Sequence, residues 1–214
     1  MASGRLAATT SVAATTYNVY QVPAGKTAEV NINVYNGSGV VNKVTLFRST
    51  STTTTAIHTI QLDTLAVDSG YERTAVVLKA GDWISFKTDQ IGTTVVVNGN
   101  EYTSKSNEID SSVLITTNTE TVVYSNSVAK AGAVNICVTM ADGSALSDTA
   151  TCVLYVSSTN AASGYPIHKY TITGSGISGF EKTGQAIKST DKVILVTTGI
   201  VGSVVARVSG YTRG

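Results

Sequence analysis

A stretch of about 27 residues occurs twice at one constant spacing, and a repeat of this kind limits the fold before anything else does. The first copy runs Gly70-Tyr71-Glu72-Arg73-Thr74, Leu78-Lys79-Ala80-Gly81-Asp82, then Thr88, Ile91 and Val95-Val96. The second runs Gly179-Phe180-Glu181-Lys182-Thr183, Ile187-Lys188-Ser189-Thr190-Asp191, then Thr197, Ile200 and Val204-Val205. Substitutions between the copies keep the chemistry: Tyr for Phe, Arg for Lys, Leu for Ile. A tandem pair of domains related by internal duplication is therefore expected, each of about 100 residues and able to hold its own core.

Strict alternation marks Val30-Asn31-Ile32-Asn33-Val34 as a strand buried on one face, and Val134-Asn135-Ile136-Cys137-Val138 answers it, with Asn31 matching Asn135. Strands are also expected over 17–22, 41–48, 57–65, 71–78, 83–87 and 94–98. Turn signals stand at Pro23-Ala24-Gly25 and Asn36-Gly37-Ser38-Gly39, and hydroxyl-rich loops fill 49–55 and 157–164. Many short strands without a helical period predict an all-β chain of two antiparallel sandwich or jelly-roll domains. The expected boundaries are an extended N-terminal arm over 1–16, a first domain over 17–100, a polar linker over 101–110 and a second domain over 111–214.

Composition narrows the partners. Only 14% of residues are charged, against about 25% in an ordinary soluble domain, and the net charge is +1. No Lys/Arg cluster is present to meet a nucleic-acid backbone or an anionic membrane. No apolar run reaches the roughly 18 residues of a spanning helix, and residues 1–22 carry no secretory signal pattern. The sequence thus points away from nucleic-acid and membrane partners and toward a soluble chain made in a cytoplasm.

The residues that could carry chemistry have structural readings. Asp82 and Asp191 each close a Lys-x-x-Asp turn, where an aspartate accepts backbone N–H groups; Glu72 and Glu181 precede basic residues and suit ion pairs. His58 and His168 stand at matched places beside Ile57 and Ile167, as strand residues or as a protonation switch. Cys137 and Cys152 are small strand residues or a disulfide pair, and two thiols cannot complete a zinc site alone. No nucleophile elbow or catalytic triad is legible, so neither an enzyme nor a cofactor is expected.

The outer face of one repeated strand differs between copies. It reads Trp83, Ser85, Lys87 in the first and Lys192, Ile194, Val196 in the second. Branched apolar residues there need a cover, which a partner (the first domain or another subunit) or a loop of the same domain could supply. Trp83 is a candidate glycan-stacking residue or an interface anchor.

At Gly4-Arg5-Leu6-Ala7-Ala8, Val22-Pro23-Ala24-Gly25-Lys26-Thr27, Tyr71-Glu72-Arg73-Thr74 and Leu78-Lys79-Ala80-Gly81-Asp82, the chain resembles small β-rich virion structural proteins of tailed bacteriophages, including cyanophages. The likeness covers most of residues 4–98. The second half keeps only the Phe-Glu-Lys-Thr phrase and the Val-Asn-Ile alternation. The resemblance implies a non-enzymatic protein of the virion (tail, neck, baseplate, fibre or capsid surface) without a cofactor, packing in symmetric copies with other virion proteins. Arg5, Leu6, Trp83, Lys192, Ile194 and Val196 are the expected interface residues, the first two on an arm that orders on a neighbour. The alternative is a host-attachment module binding surface glycan through aromatics near Trp83.

Overall fold

The computed structural model describes residues 2–49, 58–103, 108–127, 131–141, 143–145, 147–175 and 179–212. The chain divides into two units, Met1–Ser106 and Asn107–Gly214. The first holds β1 (Ser3–Thr10), β2 (Thr16–Gln21), β3 (Lys26–Asn36), β4 (Asn42–Ser49), β5 (His58–Leu65), β6 (Gly70–Leu78), β7 (Trp83–Thr88) and β8 (Thr93–Thr103). The second holds β9 (Glu108–Ile115), β10 (Glu120–Ser125), β11 (Gly132–Met140), β12 (Thr149–Ser157), β13 (Tyr165–Thr173), β14 (Gly179–Ile187), β15 (Lys192–Val201) and β16 (Val204–Thr212).

Each unit is a complete eight-stranded jelly roll. In the first, one sheet runs β1-β8-β3-β6 and the other β2-β7-β4-β5. In the second the orders are β9-β16-β11-β14 and β10-β15-β12-β13, the same arrangement strand for strand. All the strand pairs are antiparallel. The all-β expectation of sandwich or jelly-roll domains is the observed fold.

Val30, Ile32 and Val34 of β3 face Leu46, Ile84 and Phe86 of the opposite sheet in one buried cluster. A one-residue slip of β3 would turn all three outward. The alternation therefore pins the register, and Val134, Ile136 and Val138 do the same in the second unit.

The segments expected as arm and linker are largely strand. Ser3–Thr10 pairs with β8 of its own unit, and Leu6, half-buried, packs against that unit's core. Glu101–Thr103 continue β8 against β3, and Glu108–Asp110 open β9; 104–107 lie outside the described residues. The reason is shared. An edge strand gains its order from backbone hydrogen bonds to a neighbouring strand, so it needs little apolar patterning of its own. The hydroxyl-rich 50–57 also lies outside the described residues.

Candidate functional site

The β1–β2, β3–β4, β5–β6 and β7–β8 connections of the first unit meet at one end of the jelly roll, and buried polar side chains hold them together. Asn36 is fully buried and donates to the carbonyls of Val40 (2.8 Å), Leu65 (3.2 Å) and Ala66 (2.9 Å). Asn42 donates to the hydroxyls of Thr88 and Thr93, both at 2.7 Å, while its own oxygen accepts the Asp89 N–H at 3.2 Å. Backbone bonds from Gly37 N to Gly92 O and from Gly92 N to Ser11 O close the ring of loops. The Tyr17 hydroxyl accepts the N–H groups of Val12 and Ala13. Satisfied buried networks of this kind fix one arrangement, because any rearrangement leaves a buried group unpaired.

On this fixed end the large apolar side chains point outward. Val12, Val40, Val41, Val67, Ile91 and Tyr35 are all exposed, Val12 by 82% and Val41 by 60%. In the second unit, Met140 and Ala150 take the register positions of Asn36 and Asn42. Its matching end shows two large exposed apolar residues among the described residues, Leu114 and Val201. Among the described residues, the first unit thus presents the larger set of exposed apolar side chains at this end.

The two units also differ at the turn before β7 and before β15. Asp82 accepts the Lys79 N–H and Asp191 the Lys188 N–H, both at 2.8 Å. In the first unit Arg48 reaches the same carboxylate at 3.3 Å, both side chains being at least nine-tenths buried. Arg48 stands opposite Ile84 and Val156 opposite Val193, so Val156 holds the arginine's place in the second unit. There a cavity of about 370 Å³ opens, lined by Val156, Ser157, Tyr165, Lys188 and Asp191 among others.

The expected interface residues separate. Arg5 is exposed on β1, while Trp83 is half-buried, with its indole N–H buried and without an acceptor among the described residues. Lys192 donates to the Thr159 carbonyl at 3.1 Å. Ile194 is fully buried and Val196 half-buried. Ile194 is thus covered within the single chain, while Val196 keeps part of its surface open. A single 3₁₀ turn, Ala161–Ser163, packs on β12 and β15, with Ala161 buried and its N–H donated to Glu120 at 3.2 Å.

The two histidines are not equivalent. An extra residue, Ile60 in β5 and Ile167 in β13, bulges each strand at the same point. Counting through it, Leu46 faces Gln61 and Leu154 faces His168, so Gln61 is the counterpart of His168, whereas His58 answers to Tyr165. His168 packs against Phe180 at 4.8 Å and Tyr170 at 6.0 Å between centroids. Burial, and then the Lys182 charge, hold its pKa below the usual histidine value. At the same seam of the first unit Arg73 donates to Gln61 and lies 5.7 Å from the Tyr71 ring centre.

Glu72 is exposed on β6. Cys137 and Cys152 lie on strands of different sheets and form no disulfide, and burial pushes the Cys152 thiol up to about 12. Among the described residues no group of three or more His, Cys, Asp or Glu side chains could hold a metal, and no helix is long and apolar enough to cross a membrane.

These features define a tandem of jelly rolls with a polar-locked, apolar loop end on the first. No family model matches the chain, and no curated protein matches its sequence. Among solved structures it is similar to the STIV MCP, with 6% identity, a TM-score of 0.32 and coverage of 97% of this chain and 94% of that one. It is similar to the PBSX exported protein XepA at 13% identity and a TM-score of 0.30, covering 96% of this chain and 85% of that one. It is similar also to the CBM22-1-CBM22-2 tandem domain of Paenibacillus barcinonensis Xyn10C, at 10% identity and a TM-score of 0.25, covering 95% and 86%. Likenesses this loose carry no conclusion about what the present chain binds or builds.

Proposed function

We propose that this chain is a non-enzymatic structural protein of a tailed-phage virion, that its jelly rolls arose by tandem duplication, and that it packs in repeated copies through the loop end of its first unit. The observation that carries the packing reading is the set of valine and isoleucine tips held outward by buried Asn36 and Asn42. Loops usually move; loops fixed this firmly with apolar tips suit a surface that docks without reorganising. The virion reading is supported by the phrases around Arg5, Pro23 and Tyr71 and by the jelly-roll topology, a fold used by capsid and lectin domains alike.

Magnitude favours an array. Fully burying one Val or Ile side chain contributes roughly 1.5–3 kcal/mol. The six tips, already partly covered, could therefore offset an association cost of about 4–15 kcal/mol only narrowly. Repetition on a particle supplies the remainder through effective concentration.

The test is immunogold electron microscopy of purified particles of the phage encoding the chain, repeated with the double variant Val41→Asp, Ile91→Asp. Gold at one fixed position on native particles, lost in the variant while the isolated variant keeps its β circular dichroism and melting temperature, is the expected result. Unlabelled native particles with an accessible epitope overturn the virion reading. Undiminished variant labelling overturns the loop end as the contact.

A further inference from the structure

We infer that the cavity of the second jelly roll is a binding pocket for an arginine side chain carried by another polypeptide. The first unit supplies the template. There Arg48 fills the space beside the turn and pairs with Asp82, whose carboxylate also holds the turn through the Lys79 N–H. The second unit keeps the turn and the carboxylate, with Lys188 N on Asp191 Oδ2 at 2.8 Å, but puts Val156 where the arginine stood. The space formerly occupied becomes the cavity of about 370 Å³, and no cation among the described residues pairs with Asp191.

The lining suits a guanidinium. Asp191 offers a carboxylate acceptor, for which arginine's planar fork is the best-matched donor. Tyr165 lines the cavity and is 82% exposed, presenting an open ring on which a guanidinium can stack. Ser158 adds a hydroxyl, and Val156 and Ile167 give the methylene stem an apolar wall. Lys188 is no obstacle, since Lys79 holds the same place beside the Arg48–Asp82 pair and is likewise exposed. The inference stands apart from the virion reading, because it follows from the Arg48–Val156 difference alone.

The experiment is a titration of the full chain, followed by two-dimensional NMR, with N-acetyl-argininamide, N-acetyl-lysinamide and methyl glucoside. Saturable shifts at Val156, Tyr165 and Asp191 with the arginine probe are expected, with the lysine probe several-fold weaker and the sugar silent. Asp191→Asn, whose amide oxygen can still accept the Lys188 N–H, should weaken arginine binding by about tenfold. Val156→Arg should abolish it by filling the pocket from within. Absence of saturable shifts with the arginine probe up to about 50 mM, where even a weak site of a few kcal/mol would be occupied, overturns the inference. So does binding that survives Asp191→Asn undiminished, or a preference for the sugar.

Discussion

Asn31 accepts the backbone N–H of Ala75 at 2.8 Å across the β3–β6 pair, at the point where β6 bulges and Ala75 takes a φ of +48°. Asn135 does the same for Gly184 at 2.7 Å, where φ is +64°. The asparagine that the alternation places on the outer face thus clamps a bulge in each unit. Glycine tolerates positive φ without cost, whereas alanine pays roughly 1 kcal/mol or more there. Ala75→Gly should therefore stabilise the first unit by up to about 1 kcal/mol, less what glycine loses in unfolded-chain entropy. Asn31→Ala should destabilise it by about 0.5–1.5 kcal/mol, since the exposed bulge N–H exchanges its side-chain acceptor for water. Urea unfolding of both variants checks the pair, and equal midpoints would show that the clamp contributes nothing.

The buried Arg48–Asp82 pair gives a sharper effect. Removing one partner of a buried ion pair leaves the other charge uncompensated, at a cost of about 3–5 kcal/mol. Arg48→Ala should lower the first unit's unfolding midpoint by that order. Val156→Ala, the matched change in the second unit, should cost well under half as much, because Val156 is only half-buried and carries no charge. Chemical denaturation followed at Trp83, the single tryptophan, reads the first unit, and hydrogen exchange of the β11, β12 and β16 amides reads the second for the Val156→Ala comparison.

Much of this was legible in the sequence. Alternation located β3 and β11, and the Lys-x-x-Asp spacing gave the turn aspartates their role as acceptors of backbone N–H groups. Two kinds of feature escaped. The first was strand order in β1 and at the β8 and β9 ends, where backbone pairing alone orders a hydroxyl-rich or polar segment. The second was register across loops of unequal length: Ile60 matches Ile167, so Gln61 and not His58 stands in the place of His168, and the histidines match by eye and not in space. Position within the loops was equally hidden. The exposed tips Val12, Val41 and Ile91 are far apart in sequence, and only the jelly-roll connections gather them at one end. Val156 stands at the place of Arg48 on the matching strand, yet the cavity beside it depends on where the arginine points, which no pattern along the chain shows.

Protonation of His168 supplies a pH test. Its folded-state pKa is lowered, by burial first and by Lys182 second, so the folded state binds a proton less readily than the unfolded chain. The unfolded state therefore holds more protons below the ordinary histidine pKa of about 6.5, and stability falls as pH drops through that value toward the folded pKa. The second unit's melting temperature should decline between about pH 7 and pH 5, and His168→Gln, the residue type at the matching place in the first unit, should remove part of that slope. Thermal scans of both proteins across this range decide it; parallel curves would count against a role for His168.

The 3₁₀ turn that packs on β15, the strand of Ile194, carries one small buried residue. Ala161 sits buried in the 3₁₀ turn, and the Asn160 side chain caps that turn by accepting the Ser163 N–H at 3.1 Å. A carboxylate at 161 cannot stay against an apolar strand face without losing its hydration, so Ala161→Asp should lift the turn and uncover Ile194. The expected result is a loss of about 1–3 kcal/mol in the second unit, with a new protease-sensitive site between Ser157 and Tyr165, while the first unit resists digestion as before. An Ile194→Thr change in the same background should then cost less than it does in the native chain, because an uncovered strand face no longer rewards an apolar side chain. Additive losses from the two substitutions would mean that the turn rests beside Ile194 rather than on it.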